Sequence, residues 1–300
     1  MRRLLSLPLL VLAGLAVFGC ETAPQTRGGQ PITEPVRSVV SLSPSSTEIL
    51  ASINYNRILT GRTESDNFPI SVSSVPVVAS VKPNYEKIAA IKPQLVLYDE
   101  LLYSKDDIKK ITDLGAKTFA FNANTVDEFT KQIYRLGALV NSESNASSYV
   151  DKILAAKSTA QAQSLSRNPK VAVVLVGDGT EHMVVGTKSF LADVIRSAGG
   201  EPVGPDSDRF VSLSPESFVA SNPEMIVIAY PVFSKNEDLT RDGAIKRAKK
   251  IVNDPRLKSV LAVQKELILP VDEDILTRRG YRVDRLIEEI SRRIQAVAQQ

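Results

Sequence analysis

Apolar and polar positions along the chain predict strands and helices in regular alternation. A β-favouring run at residues 36–42 is followed by Ser43-Pro44-Ser45-Ser46-Thr47, whose hydroxyl groups suit a helix N-terminus, and by Glu48, predicted in the first helical turn. Further strands are predicted at 58–61, 75–79 and 117–121, and further helices at 104–114 and 125–139. This alternation favours a parallel sheet that helices cover on both faces.

One pattern of helix, breaker and strand occurs twice. Residues 84–98 read NYEKIAAIKPQLVLY, and residues 214–228 read SPESFVASNPEMIVI. In each copy a glutamate, Glu86 or Glu216, opens a short helical segment where it suits the helix dipole, a proline ends the helix, and an apolar strand follows. Any two helix–strand units of an α/β protein share some of this pattern, but a repeat at this separation favours two similar lobes.

Residues 144–166 contain no Gly or Pro and predict one helix of about 30 Å that links the lobes. A helical link permits only small relative motions, whereas a Gly/Ser linker would permit wide opening. We therefore divide the folded chain into an N-terminal lobe at 36–143, a connecting helix at 144–168 and a C-terminal lobe at 169–300.

The C-terminal lobe repeats the alternation of strands and helices. Strands are predicted at 170–176, in the second repeat and at 267–270, helices at 189–197, 241–252 and 282–298, and loops at 177–187, 202–212 and 230–235. With the first lobe, this predicts an α/β fold of two Rossmann-like lobes with parallel-rich sheets.

The first 19 residues predict an export signal. Two arginines precede an apolar run at 4–18, which ends at Val17-Phe18-Gly19-Cys20 and resembles a bacterial lipoprotein signal, with Cys20 as the lipid-modified residue. An ordinary secretory signal is the alternative. Residues 20–35, rich in Gly, Pro, Thr and Gln, predict a flexible tether, and no later apolar run approaches 18 residues. We therefore expect an exported body that a lipid holds to a bacterial membrane.

Composition narrows the function classes. Apolar residues form 43% and charged residues 24% of the chain, and loss of Arg2 and Arg3 with the signal lowers the formal charge from +3 to +1. This charge predicts no nucleic-acid partner. One Cys and one His exclude a disulfide framework and any site of several Cys and His ligands. A Ser-His-Asp triad would have to use His182, which is distant in sequence from the Ser-rich turn at Ser43–Thr47, so an enzyme is the weaker class.

From residue 36 onward the chain resembles the helical-backbone periplasmic binding proteins that deliver cobalamin, iron-siderophores or haem to ABC importers. The resemblance rests on Val40-Ser41-Leu42-Ser43-Pro44-Ser45-Ser46-Thr47-Glu48, Leu59-Thr60-Gly61-Arg62, Phe68-Pro69, the two repeats, Val185-Gly186-Thr187-Lys188-Ser189-Phe190-Leu191, Ala198-Gly199-Gly200, Asp254-Pro255-Arg256 and Gly280-Tyr281-Arg282. It implies a ligand cleft between the two lobes joined by one long helix. It also implies a monomer with no intrinsic cofactor or resident metal, and a partnership with a permease and its ATPase.

The resemblance also implies roles for individual residues. Glu86 and Glu216 match the carboxylates that dock, one on each lobe, into arginine-lined pockets of the permease. Phe210 matches an aromatic residue of the cleft wall, and Asp274 and Arg278 match a polar pair that contacts the corrin.

Four further cleft candidates, Arg62, Tyr103, Arg209 and Tyr230, stand in loops expected at strand carboxyl ends, where open α/β sheets bind ligands. Cobalamin-binding relatives carry aromatic residues where this chain has Ser65 and near Ser80 and Asp99.

The ligand expected first is cobalamin, and a ferric siderophore second. Haem is an alternative, with His182 or Tyr103 as its axial ligand. A lipid-anchored α/β hydrolase and a scaffold or adhesion protein are the competing classes.

Overall fold

The computed structural model describes residues 35–54, 57–163, 167–175, 182–230 and 241–299 of the chain. The predicted signal, Cys20 and the tether up to residue 34 lie outside the described residues. Among the helices that the structure describes, none combines the length and the apolarity needed to cross a membrane.

The N-terminal lobe is a five-stranded, all-parallel sheet with strand order β3-β2-β1-β4-β5. Its strands are β1 Val39–Ser41, β2 Leu59–Thr63, β3 Val77–Ala79, β4 Leu95–Asp99 and β5 Lys117–Phe121. Its helices are α1 Pro44–Asn54, α2 Tyr85–Ile91, α3 Lys105–Asp113 and α4 Val126–Leu139, with a 3-10 turn at Ile70–Ser74. The predicted alternation in this lobe is confirmed.

Helix α5, Glu143–Ala162, follows the N-terminal lobe, so the predicted long helix is confirmed over these residues. Its 20 residues extend about 30 Å and bury a face that includes Tyr149, Val150 and Ile153. Residues 164–166 lie outside the described residues. The division of the chain into domains at 143 and 168 stays a prediction.

The C-terminal lobe is a mixed six-stranded sheet with order β11-β10-β6-β7-β9, and β8 pairs with β6. Its strands are β6 Lys170–Leu175, β7 His182–Val185, β8 Glu201–Pro202, β9 Phe210–Leu213, β10 Met225–Tyr230 and β11 Ile268–Asp272. Its helices are α6 Phe190–Ser197, α7 Pro215–Ser221, α8 Arg241–Val252, α9 Leu261–Gln264, α10 Glu273–Thr277 and α11 Val283–Ala298, with a 3-10 turn at Pro255–Leu257. Two parallel-rich sheets in an α/β fold confirm the predicted fold class.

Two segments predicted as loops are partly strand: 177–187 contains the antiparallel strand β7, and 202–212 overlaps the antiparallel strand β9. Each strand has four residues. The first window contains three Gly and one Asp, and the second contains two Pro, one Gly, two Asp and two Ser. Such windows predict turns, and the pairing of β9 with β7 comes from tertiary context that local sequence does not carry. The rest of the first loop up to residue 181, and the predicted loop beyond Tyr230, lie outside the described residues.

The two repeats adopt the same local structure. Asn84 caps α2 and Ser214 caps α7, each by accepting a hydrogen bond from a backbone N–H three residues later. Both helices end at a residue in the left-handed conformation, Lys92 with φ 51° and Asn222 with φ 41°, immediately before a proline. The predicted sequence of helix, breaker and strand is confirmed in both lobes.

A single hydrophobic cluster runs through both lobes. It contains Val39 and Leu97 of the first sheet, Tyr149 of α5, Val173 of the second sheet and Ile290 of α11. Separate clusters cover the opposite face of each sheet. Because the interior is continuous from one sheet to the other, the lobes are joined by packing as well as by α5.

Candidate functional site

A cavity of about 360 Å³ lies between the lobes, at the carboxyl ends of strands from both sheets. Leu101 follows β4, Leu175 ends β6 and Glu273 follows β11. Carboxyl strand ends are where open α/β sheets bind ligands. Its lining residues are Leu101 and Asn124 of the N-terminal lobe and Leu175, Val185, Ser189, Phe190, Leu191, Asp208, Arg209, Phe210, Glu273, Thr277 and Arg279 of the C-terminal lobe.

The cavity combines an apolar wall with a few charged groups. Phe210 and Arg209, both predicted as cleft residues, do line it. Phe210 is half-buried at the start of β9, while Arg209 is exposed, with its Nε 3.9 Å from Asp208 Oδ1. Apolar walls with a small number of placed polar groups are typical of small-molecule sites.

Asp274 and Arg278, the predicted corrin-contacting pair, are engaged across the junction of the lobes. Their side chains form an ion pair of 2.6 Å. Asn67 of the N-terminal lobe donates to Asp274 Oδ2 at 2.7 Å and accepts from Arg278 Nη1 at 2.6 Å. Both side chains therefore hold the lobes together, and a ligand that used them would have to share them with Asn67.

Glu48 forms the centre of this junction. Its side chain is 1% exposed and accepts from Arg282 Nη2 at 2.7 Å and Arg278 Nη1 at 3.2 Å. Burial raises the pKa of Glu48, and the two guanidinium groups oppose that rise. The prediction of Glu48 in the first turn of its helix is wrong: it stands at the fifth position of α1, and it serves the junction rather than the helix dipole.

The side chain of Arg62, a predicted cleft residue, is engaged in hydrogen bonds to the backbone of its own lobe. Its guanidinium donates to the backbone carbonyls of Val75 at 3.0 Å, Thr63 at 2.8 Å and Ser73 at 3.2 Å. These bonds join β2 to the segment before β3, which indicates a structural role.

The two predicted tyrosines are not among the described residues that line the inter-lobe cavity. Tyr103 lines a second cavity of about 350 Å³ within the N-terminal lobe. Burial, together with Asp66 and Asp107, raises the pKa of Tyr103 to about 12. Tyr230 ends β10 beside Asp272 at the end of β11.

His182 is buried at the start of β7 in the C-terminal lobe, opposite Leu213 of β9. Burial lowers the pKa of His182, Asp254 opposes this, and Arg256 adds to it. Neither ring nitrogen has a hydrogen-bond partner among the described residues. The Ser-His-Asp arrangement of a hydrolase is therefore not formed in the part of the chain that the structure describes.

Glu86 and Glu216 are both exposed in the first turn of a short helix, one on each lobe. Hydrogen bonds from its own backbone N–H and from Ser214 lower the pKa of Glu216. The two carboxylates are therefore presented to solvent at equivalent positions of the two repeats.

Residues that sequence reasoning missed complete the cavity. Arg279 is buried and donates to Asp99 Oδ2 at 2.5 Å and to the Ala123 carbonyl at 2.7 Å. Leu101 is 52% exposed and stands in the turn after β4. An apolar residue shortly after the strand β4 was the one local signal in the sequence for Leu101. The Arg279–Asp99 pair gave no such signal, because its partners are 180 residues apart in sequence.

Comparison with known proteins agrees with this architecture. The chain is 27% identical over 269 residues to the uncharacterized ABC transporter substrate-binding lipoprotein YvrC of Bacillus subtilis. The aligned region covers 88% of this chain and 81% of YvrC. The structure resembles the periplasmic vitamin B12 binding protein BtuF of Vibrio cholerae with a TM-score of 0.73 at 19% identity, covering 89% and 99% of the two chains. It also resembles the periplasmic heme-binding protein RhuT of Roseiflexus sp. RS-1 with a TM-score of 0.71 at 20% identity, covering 88% and 100%. The sequence profile of the periplasmic binding protein family matches residues 39–274, and the chain belongs to that family.

Proposed function

We propose that the protein is a lipid-anchored substrate-binding protein of an ABC importer and that it captures a metal chelate between its lobes. The observation that carries the proposal is the cavity at the strand carboxyl ends, which both lobes line. The similarity to a substrate-binding lipoprotein of an ABC transporter supports the class of function and the lipid anchor at Cys20. Capture and delivery need no catalytic group, so the protein acts without chemistry on its ligand.

A corrinoid such as cobalamin is the first ligand, and a ferric siderophore the second. The cavity offers apolar surface from Phe190 and Phe210 beside the charged groups Asp208 and Arg209. This combination suits a ligand with an apolar face and polar edges. The bound metal belongs to the ligand, so the chain need not supply a resident metal site.

Haem receives less support from the geometry. Its expected axial ligands were Tyr103, which lines the second cavity, and His182, which begins β7. Neither is among the described residues that line the inter-lobe cavity. Haem is therefore an outcome of the binding test rather than the first choice.

Calorimetry on the protein starting at residue 21 tests this function, because every described contact lies beyond residue 34. The titrants are cyanocobalamin, a panel of ferric siderophores and haemin. We expect saturable one-to-one binding of a corrinoid or a siderophore. Heat from none of the three classes would refute the metal-chelate proposal, and heat from haemin alone would replace it with haem.

Phe210→Ala is expected to weaken binding of the ligand found in that titration about tenfold, because the ligand loses part of an apolar surface worth about 1.5–3 kcal/mol when fully buried. Val211→Ala is the matched control, since Val211 is the next residue of β9 and is not among the cavity-lining residues described. Equal affinities for the two variants would show that Phe210 does not contribute to ligand binding.

We further propose that Glu86 and Glu216 dock the protein onto the permease. Exposed ion pairs contribute only about 0–1 kcal/mol each, so two of them on a stiff body provide orientation and faster association more than affinity.

Charge reversal of both carboxylates, Glu86→Lys with Glu216→Lys, is expected to slow association with the permease about tenfold at low salt and to leave ligand affinity unchanged. Surface plasmon resonance against the permease in nanodiscs measures the first quantity, and calorimetry the second. Asp151→Lys with Glu143→Lys, at two exposed positions of α5, makes the same change in net charge and is the control. Unchanged association, or a loss of ligand affinity, would contradict the docking role.

A further inference from the structure

The N-terminal wall of the cavity is held by one residue of the opposite lobe. Among the described residues of the N-terminal lobe, only Leu101 and Asn124 line the cavity. Arg279, from the C-terminal lobe, contacts both segments that carry them: Nη2 donates to Asp99 Oδ2 at 2.5 Å, and Nη1 donates to the Ala123 carbonyl at 2.7 Å. The guanidinium therefore fixes both N-terminal segments relative to the C-terminal lobe.

Asp99 transmits this constraint to Leu101. Its Oδ1 accepts from Leu101 N at 2.9 Å, and its backbone carbonyl accepts from Leu102 N at 3.0 Å. The carboxylate thus shapes the turn through one oxygen and binds Arg279 through the other. Asp99 is 7% exposed and Arg279 is 8% exposed, so water competes little for either group.

Leu101 is the group that this arrangement presents. Its side chain is 52% exposed, and it lines the cavity that Phe210 lines from the other lobe. A ligand with an apolar face would cover both side chains, and the separation of the two sets the ligand thickness that fits.

We propose that Asp99 and Arg279 form a positioning pair that fixes the Leu101 wall of the cavity and thereby sets ligand affinity. Asp99 acts through Leu101 and need not contact the ligand. The inference deepens the proposed function, since it rests on ligand capture in this cavity.

Asp99→Asn tests the pair, because the amide can still accept from Leu101 N while its NH₂ group cannot accept from Arg279. Asp193→Asn is the matched control: Asp193 Oδ2 also joins the lobes, by accepting from Val126 N at 2.8 Å, and it has no bond to the Leu101 turn. The first readout is hydrogen–deuterium exchange of residues 99–103 in the ligand-free protein. The second is calorimetry with cyanocobalamin, a ferric siderophore or haemin, whichever the unaltered protein binds.

We expect Asp99→Asn to speed exchange in residues 99–103 and to weaken binding about tenfold, which corresponds to about 1.4 kcal/mol, while Asp193→Asn changes neither. Leu101→Ala should weaken binding similarly without loosening the turn. Unchanged exchange in Asp99→Asn, or faster exchange with full affinity, would overturn the proposal.

The exchange experiment separates failure of this inference from failure of the proposed function. If the unaltered protein binds none of the three probes, ligand capture fails, and the exchange of residues 99–103 still decides whether the pair positions the turn. If Asp99→Asn does not fold, Arg279→Lys replaces it as the test variant. This substitution keeps the positive charge but loses the simultaneous contact with Asp99 and the Ala123 carbonyl, so we expect the same faster exchange and weaker binding.

Discussion

Glu48→Ala is expected to lower the free energy of unfolding by about 3–5 kcal/mol, since it leaves the buried Arg282 without its close carboxylate partner, whereas Arg278 keeps Asp274 at 2.6 Å. Arg282 and Arg278 have 9% and 13% exposed side chains and meet Glu48 at 2.7 and 3.2 Å. Arg282 also keeps Asp272 at 3.9 Å, which is too distant to replace Glu48. Urea unfolding of the ligand-free protein measures the change.

Glu48→Gln is the control for this prediction. The amide oxygen can still accept from Arg282, and the raised pKa of Glu48 reflects a site that already penalises the charged form. We therefore expect the loss to be smaller than that of the alanine variant. Equal stability of Glu48→Ala and the unaltered protein would show that water enters the junction and solvates the arginines.

Gly280→Ala is the second large expected effect. A methyl group at residue 280 would lie 2.3 Å from Glu48 Oε2 and 2.9 Å from its Cδ, well inside van der Waals contact. Overpacking of this kind costs about 1–3 kcal/mol, and displacement of Glu48 from its arginine partners adds to the cost. Tyr149 Oη, which donates to the Gly280 carbonyl at 2.8 Å, limits relief by movement of the backbone.

The partner of this clash can be tested in a double-mutant cycle. Glu48→Asp shortens the side chain and makes room for the new methyl group, so Gly280→Ala should cost less in that background than in the unaltered protein. Purely additive losses in urea unfolding would show that the methyl group meets something other than Glu48.

The sequence predicted the regular elements well because their signals are local. Caps, periodic apolar positions and breakers lie within a few residues of one another, as in the repeats that open with Glu86 and Glu216. Strand β9 escaped prediction because its pairing with β7, more than 20 residues earlier, stabilises four residues that local propensity leaves in a loop.

The site was less predictable than the fold for the same reason. Phe210 and Arg209 were found from the resemblance and from loop position, and both line the cavity. The partners of Glu48 lie 230 and 234 residues away, and nothing beside it in sequence distinguishes a buried ion pair from a helix-dipole acid. Candidate loop residues such as Arg62 were named by position alone, and its backbone bonds to Val75 and Ser73 become visible only in the folded chain.

The hydrophobic core that spans both lobes needs residues from both ends of the described chain. Val36 and Val297, near the two ends of the described chain, belong to the same hydrophobic cluster, and α11 packs along α5. An amino-terminal portion of the chain can pack α4 against α5, but the part of α5 that α11 covers stays exposed until the last helix has been made. Contacts of such long sequence separation slow folding. A nascent chain that cannot complete its core early stays unfolded for longer, which would suit passage through a membrane channel if the export signal predicted at residues 1–19 operates.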